Sequence, residues 1–202
     1  MKNYISINGQ KIELTEEQAE KLRGEFVKEA KLADVPVGET VRIGGHEMIV
    51  LEHTEEDTKL LRREFLKKMP FGENNNYDGS EADKVCNDFA VEIGKIVGED
   101  NMVLHEVDLT ADDGLKDYGT IKRYASLRTA QMQRQYVYLL DKYLPEEWEW
   151  LATAYSTPTH DDDSWVKCVS PSGFIIGHYG YYFYNCGVRP FCILKSHIFV
   201  SR

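Results

Sequence analysis

The chain opens on two short runs in which apolar and polar positions alternate, Tyr4-Ile5-Ser6-Ile7 and Lys11-Ile12-Glu13-Leu14, separated by Asn8-Gly9. Alternation with period two marks half-buried strands, and Asn-Gly is a favoured two-residue hairpin turn. The period then changes. Ala19, Leu22, Phe26, Ala30 and Ala33 recur at helical spacing, which predicts an amphipathic helix with one apolar stripe. Thr15 and Gln18 match the reciprocal capping box that starts such a helix. Glu16 and Glu17 sit at its positive end, Lys28 and Lys31 near its negative end. Val35-Pro36-Val37-Gly38 breaks the pattern. Residues 1–37 are too few to bury a core of their own. They are expected to dock on the rest of the chain, on a second copy or on a partner, with residues 38–202 as the main domain.

In that domain, alternating residues 40–43 and 48–51 flank Gly44-Gly45-His46-Glu47, a second hairpin. Residues 58–62 predict a third strand, which 63–68 would extend. Residues 71–79 read as a polar loop. Ser80 caps a helix with Asp83 at its third position. Ala82, Val85, Cys86, Phe89, Ile93 and Ile96 form its apolar face, and Gly98 ends it. Residues 103–107 are strand-like, and 108–119 form a loop rich in Asp and Gly. Another helix is expected from Thr129 to about Tyr143, carrying Met132, Tyr136, Leu139 and Leu140, before Pro145. From Trp148 onward the pattern is short aromatic-rich strands with Gly and Pro turns. The class is α+β. Within the last part runs a row of rings, His178-Tyr179-Gly180-Tyr181-Tyr182-Phe183-Tyr184, which either packs a core or makes a contact surface.

Charge narrows the function. Thirty-four acidic against 24 basic residues give a net charge of −10, which argues against direct nucleic-acid binding. The same charge suits docking on basic surfaces, including the nucleic-acid grooves of other proteins. No apolar run is long enough to span a membrane, and the N-terminus lacks an apolar signal core, so the expected location is the cytoplasm. Cys86, Cys168, Cys186 and Cys192 form no C-x-x-C pair. They are expected as buried free thiols, with no metal and no cofactor. The carboxylates Asp108, Asp112, Asp113 and Asp117 miss the EF-hand pattern, since Asp113 and not a glycine stands at its sixth position. They are expected to shape their loop through Asx turns, with calcium as the alternative. Gly44-Gly45 lacks the Lys-Ser/Thr of a phosphate loop. His160, His178 and His197 lie near Cys168 and Cys192 without a catalytic signature, and no enzyme is expected.

The closing blocks carry a resemblance. Leu127-Arg128-Thr129-Ala130, Trp148, Trp150-Leu151-Ala152-Thr153, Trp165-Val166, Gly173 and Gly187-Val188-Arg189-Pro190 together resemble a family of bacterial and phage domains of unknown function. They also look like the C-type-lectin-like fold of formylglycine-generating enzymes and of retroelement variable proteins. The resemblance implies a C-type-lectin-like core of short strands with two helices, preceded by the small hairpin-helix element. Gly187 would take a positive φ or allow close backbone approach. Pro190 would start a strand. Arg189 would tie loop carbonyls or a carboxylate with its planar fork. In variable proteins the stretch before the closing motif contacts ligand. Here that stretch offers Asp161, Asp162, Asp163, Trp165, His178, Tyr179, Tyr181, Tyr182, Tyr184 and Asn185 as binding residues, with Tyr as low-entropy anchors. The paired active-site cysteines of the formylglycine enzymes find no counterpart in the spacing of Cys186 and Cys192.

The expected function is therefore a non-enzymatic binding protein of phage or mobile-element origin, with a protein partner. Its concrete form is an inhibitor of a host defence system, of the anti-CRISPR type, acting on an effector with a basic groove. The alternatives are a metal-dependent sugar-binding or enzymatic domain on the same fold, and a phage structural or assembly protein whose N-terminal helix forms a homo-oligomer seam.

Overall fold

The computed structural model describes residues 3–7, 10–16, 18, 29–181 and 183–201. Strands β1 (Asn3–Ile7) and β2 (Gln10–Leu14) pair antiparallel, with Asn3 opposite Leu14. The Asn8-Gly9 turn, and with it Ala19, Leu22 and Phe26 of the expected helical stripe, lies outside the described residues. The capping box is present: the Thr15 amide donates to Gln18 Oε1 at 3.0 Å and the Gln18 amide to Thr15 Oγ1 at 3.2 Å.

The helix expected to reach Ala33 does not. Glu29–Lys31 form strand β3, and residues 32–34 form a 3₁₀ turn. Helical spacing of Ala30 and Ala33 lost to sheet pairing. β3 hydrogen-bonds to the last strand of the chain, and the Leu32 and Ala33 amides donate to Ile198 O and Ser196 O. Leu32 and Val35 are sealed in the core, so tertiary contacts override a weak local preference.

β3 is the edge of a seven-stranded sheet. Its other members are β4 (Thr40–Ile43), β5 (His46–His53), β6 (Asp57–Arg62), β10 (Ala125–Ser126), β15 (Phe191–Lys195) and β16 (Phe199–Ser201). The order is β10-β15-β6-β5-β4-β16-β3, antiparallel throughout. The second sheet has β7 (Lys67–Lys68), β11 (Trp148–Ala154), β12 (Trp165–Val169), β13 (Ile175–Tyr179) and β14 (Cys186–Val188), in the order β13-β12-β11-β14-β7. Residues 63–68 do not extend β6. The chain leaves the first sheet at Arg63 and enters the second at Lys67. Arg189-Pro190 makes the return crossing between β14 and β15. A small ribbon of β8 (His105–Asp108) and β9 (Thr120–Arg123) completes the strands.

Helix α1 (Glu81–Val97) joins the two sheets. Ser80 Oγ accepts from the Asp83 amide, and Gly98 ends the helix at φ +90°. Phe89 and Ile93 pack with the seven-stranded sheet, Ala82 and Cys86 with the five-stranded one. Ile96, expected on the buried face, is 46% exposed, because it lies over the Gly44 turn at the sheet margin. The expected third helix is broken into α2 (Ala130–Gln135), α3 (Val137–Leu140) and a 3₁₀ turn at 141–143. Tyr136 interrupts it at φ −104°, ψ +14°, and its hydroxyl donates to Glu52. Tyr136 and Leu140 cover the other face of the seven-stranded sheet against Ile49, Leu51, Leu61 and Phe191. No helix among the described residues is long and apolar enough to cross a membrane.

Candidate functional site

The crossings between the sheets meet at a buried charge cluster. Arg128 and Arg189 both bond the Glu149 carboxylate, and all three side chains are at most 1% exposed. Arg128 Nε donates to Gln133 Oε1 at 2.7 Å, and Arg189 Nε to the Arg62 carbonyl at 2.7 Å. The expected role of Arg189, tying a loop carbonyl and a carboxylate, is what the geometry gives. Burial pushes the Glu149 carboxyl upward, but the two guanidiniums outweigh it and hold the group below its usual range. Gly187 has an ordinary φ and serves close approach: the Phe65 ring lies where a Cβ would be.

Beyond this cluster the five-stranded sheet shows two different faces. Trp165 and Tyr179 are opposite one another in the β12–β13 register, as are Val166 and His178. Alternation sends the first pair outward and the second inward. Val166 is buried, and the His178 ring stacks on Phe183 at 3.7 Å and meets Trp148 edge-on at 5.8 Å. Burial lowers the His178 pKa and favours the neutral ring. Its Nδ1 is buried without a hydrogen-bond partner among the described residues. His178, within the expected binding set, is thus a half-buried ring that packs on Phe183 and Trp148 on the inner side of the sheet.

On the outer face the rings form a row. Tyr155 and Trp165 lie 6.4 Å apart, Trp165 and Tyr179 4.3 Å, and Tyr179 and Tyr181 6.2 Å, between ring centres. Tyr155 is 50% exposed, Tyr179 41% and Tyr184 67%. Asn185 is exposed as well, and Tyr182 lies outside the described residues. The row depends on Gly177: an added Cβ would stand 3.2 Å from both the Trp165 and Tyr155 rings. A register shift in β11 between Trp150 and Ala154 then sets Tyr155 beside Trp165, whose carbonyl accepts from the Tyr155 amide at 2.8 Å.

A clasp of side chains fixes the loop that frames the row. Asn75 is fully buried, and its Nδ2 donates to the carbonyls of Ser156 at 3.1 Å, Trp165 at 3.2 Å and Asp162 at 3.4 Å. Its Oδ1 accepts from Tyr118 Oη at 2.5 Å. From the other side, Asp113 Oδ2 accepts from Ser156 Oγ at 2.5 Å and pairs with His160 Nδ1 at 3.1 Å. Asp117 Oδ2 accepts from Thr159 at 2.5 Å and Thr157 at 2.7 Å. These hydroxyls hold the Asp113 and Asp117 carboxyls below their usual range. Asp112 takes Lys167 Nζ and Arg134, each at 2.9 Å. Asp108 makes the expected Asx turn with Thr110. The carboxylates considered for calcium thus bind their own protein, and no group of three or more His, Cys, Asp or Glu among the described residues is placed to hold a metal ion.

Asp161 and Asp162 line the cleft beside the row, and Asp163 follows them in the loop. Asp162 Oδ1 accepts from the Ser164 amide at 3.0 Å and the Trp165 amide at 3.1 Å, and so sets the start of β12. Asp161 takes a left-handed φ of +55°, which Asp tolerates. Asp161 and Asp163 are exposed. Their neighbourhood is electronegative enough to be felt by Tyr118, whose hydroxyl is pushed up to about 12 by burial and then by Asp163, Asp117 and Asp162.

Nucleophiles fare differently. All four cysteines are buried free thiols, as expected. Burial pushes Cys86 and Cys192 up to about 12, and Cys186 is raised as well. Ser126 Oγ lies 3.0 Å from His105 Nε2, but Ser126 is 1% exposed and the His105 Nδ1 lacks a hydrogen-bond partner among the described residues. Burial takes His105 down to about 4.

Sequence reasoning missed Asn75, Tyr118 and Tyr155. Tyr155 had a readable signal, as the aromatic residue directly after an alternating strand. Asn75 had none, because its partners are 43 to 90 positions away. No protein-family profile, curated protein or solved structure matches the chain.

Proposed function

We propose that the chain is a non-enzymatic protein-binding module on a C-type-lectin-like scaffold, with the Tyr155–Trp165–Tyr179–Tyr181 row as its contact face. The observation that carries this reading is a row of half-exposed rings held over a glycine and bordered by carboxylates. Exposed aromatic rows beside polar rims are what recognition surfaces use, because rings bury a large area at small entropic cost. Tyr184 and Asn185 extend the face, and Asp161, Asp162 and Asp163 add selectivity for a basic partner. The raised thiols and the buried Ser126 support a binding role over covalent catalysis.

The concrete form is a phage or mobile-element protein that works in the host cytoplasm, where free thiols persist. There it would occupy the basic nucleic-acid groove of a defence effector, as an anti-CRISPR protein does. Wild-type protein and a Tyr179→Ala/Tyr181→Ala variant would be compared for partner capture from the host lysate. Loss of a saturable partner by the variant, with an unchanged melting curve, supports the reading. Equal recovery by both overturns it. Against a purified effector, binding that survives joint replacement of Asp161, Asp162 and Asp163 by Asn removes the electrostatic component.

A further inference from the structure

We propose that the cleft between Tyr155, Trp165 and Tyr179 is a receptor for the guanidinium of an arginine presented by the partner. This rests on the contact-face reading and gives it a chemistry. The cleft is lined by Tyr155, Asp161, Asp162, Ser164, Trp165, Gly177 and Tyr179, and has a volume of about 570 Å³. That lies inside the range of ligand-binding clefts, roughly 300–1,000 Å³.

Three features favour a cation. The walls are ring faces, which carry the negative part of the aromatic quadrupole, and tryptophan attracts cations most strongly. The face already holds one: the Lys167 ammonium sits 5.1 Å from the Tyr155 ring centre, balanced by Asp112 at 2.9 Å. The rim has an uncommitted acceptor, for no described side chain or amide bonds the Asp161 carboxylate, whereas Asp162 is engaged through Oδ1 with Ser164 and Trp165. An apolar occupant would strip water from these carboxylates and return nothing.

Arginine fits better than lysine for a geometric reason. A guanidinium is planar, so it stacks on an indole while its edge donors reach a carboxylate. Gly177 lets the Trp165 and Tyr155 rings settle close to the sheet, and a guanidinium would stack on their outward faces, not between them. The net charge of −10 draws basic partners toward the molecule as a whole.

The test uses the full chain and two capped tripeptides, acetyl-Gly-Arg-Gly-amide and its citrulline counterpart, which has the same shape without the charge. Binding is read from the Trp165 indole N–H resonance, assigned by Trp165→Phe. The arginine peptide is expected to shift it saturably in the millimolar range, and the citrulline peptide to bind about fivefold more weakly. Asp161→Asn/Asp162→Asn, which keeps the acceptor that caps β12, is expected to weaken the arginine peptide about threefold with an unchanged melting temperature. Equal binding of the two peptides, indifference to the Asn substitutions, or no movement of the Trp165 signal overturns the proposal. If the arginine peptide fails while Tyr179→Ala/Tyr181→Ala still abolishes partner capture, the cation receptor falls and the contact face stands. Loss of neither partner capture nor peptide binding in that variant removes both.

Discussion

At the scale of single residues, Glu149 has the largest expected effect. Among the described residues it is the one carboxylate bonded to both Arg128 and Arg189, all three buried. Glu149→Gln leaves two guanidiniums in the interior without a counter-charge, and urea unfolding should show a loss of about 3–5 kcal/mol. Its pKa is depressed in the folded state, so its contribution is present above the ordinary carboxylate range and disappears as pH falls through the folded value. His105 acts in a separate window. Its folded pKa is about 4 against 6.5 when free, so the unfolded chain takes up a proton first as pH falls below 6.5, and stability drops until about 4. His105→Gln should remove about 2 kcal/mol of the stability difference between pH 7 and pH 4.5, measured against wild type in urea. A variant whose pH dependence matches wild type would contradict the buried neutral imidazole. The function of Arg189 as a fork between a carbonyl and a carboxylate could be foreseen from its chemistry, because a guanidinium beside a strand crossing has few other uses. Its partner Glu149 could not. It sits between two tryptophans in a strand pattern and looks like a solvent-facing residue.

At the scale of elements, the clasp around residues 156–165 decides whether the rings are displayed or left mobile. Asn75→Ala removes donors to three loop carbonyls and orphans the Tyr118 hydroxyl, at a cost of about 2 kcal/mol. Hydrogen exchange should quicken at 156–165 more than in α1. Uniform quickening would mean that Asn75 supports the whole fold and not the loop. Calcium and chelator should leave the melting temperature unchanged, since Asp112, Asp113 and Asp117 are engaged with Lys167, Arg134, Ser156, His160, Thr157 and Thr159. An upward shift on adding calcium would reverse that reading. Elements with strong local signals were legible: the first hairpin, the Thr15–Gln18 box, α1 with its Ser80 cap and Gly98 stop. Elements decided by distant partners were not. Glu29–Lys31 became a strand because β16 was there to pair with it, and residues 63–66 left the first sheet because Gly187 and Val188 took up Lys68 and Lys67.

At the scale of the molecule, two sheets share one helix, and the chain crosses between them at Arg63–Leu66 and at Arg189-Pro190. The outer face of β12 and β13 is covered at one end, where Val169 and Ile175 pack with Ala130 and Leu144, and the rings of Tyr155, Trp165 and Tyr179 stand at its uncovered end. Replacing Tyr179 and Tyr181 together by Ala should change stability by no more than about 1 kcal/mol, while core rings such as Trp150 and Tyr77 allow no such change. The alternation of strand residues made it readable that some of the ring run would face outward. Which ones depended on the register, and His178 turned to the inner side, half-buried against Phe183 and Trp148. Hydroxyl-radical footprinting of the free protein tests this most directly. Trp165 and Tyr179 are predicted to oxidise many times faster than Trp150 and Tyr77, which are fully buried. Trp165 and Tyr179 labelling as slowly as Trp150 and Tyr77 would contradict an outward-facing aromatic row.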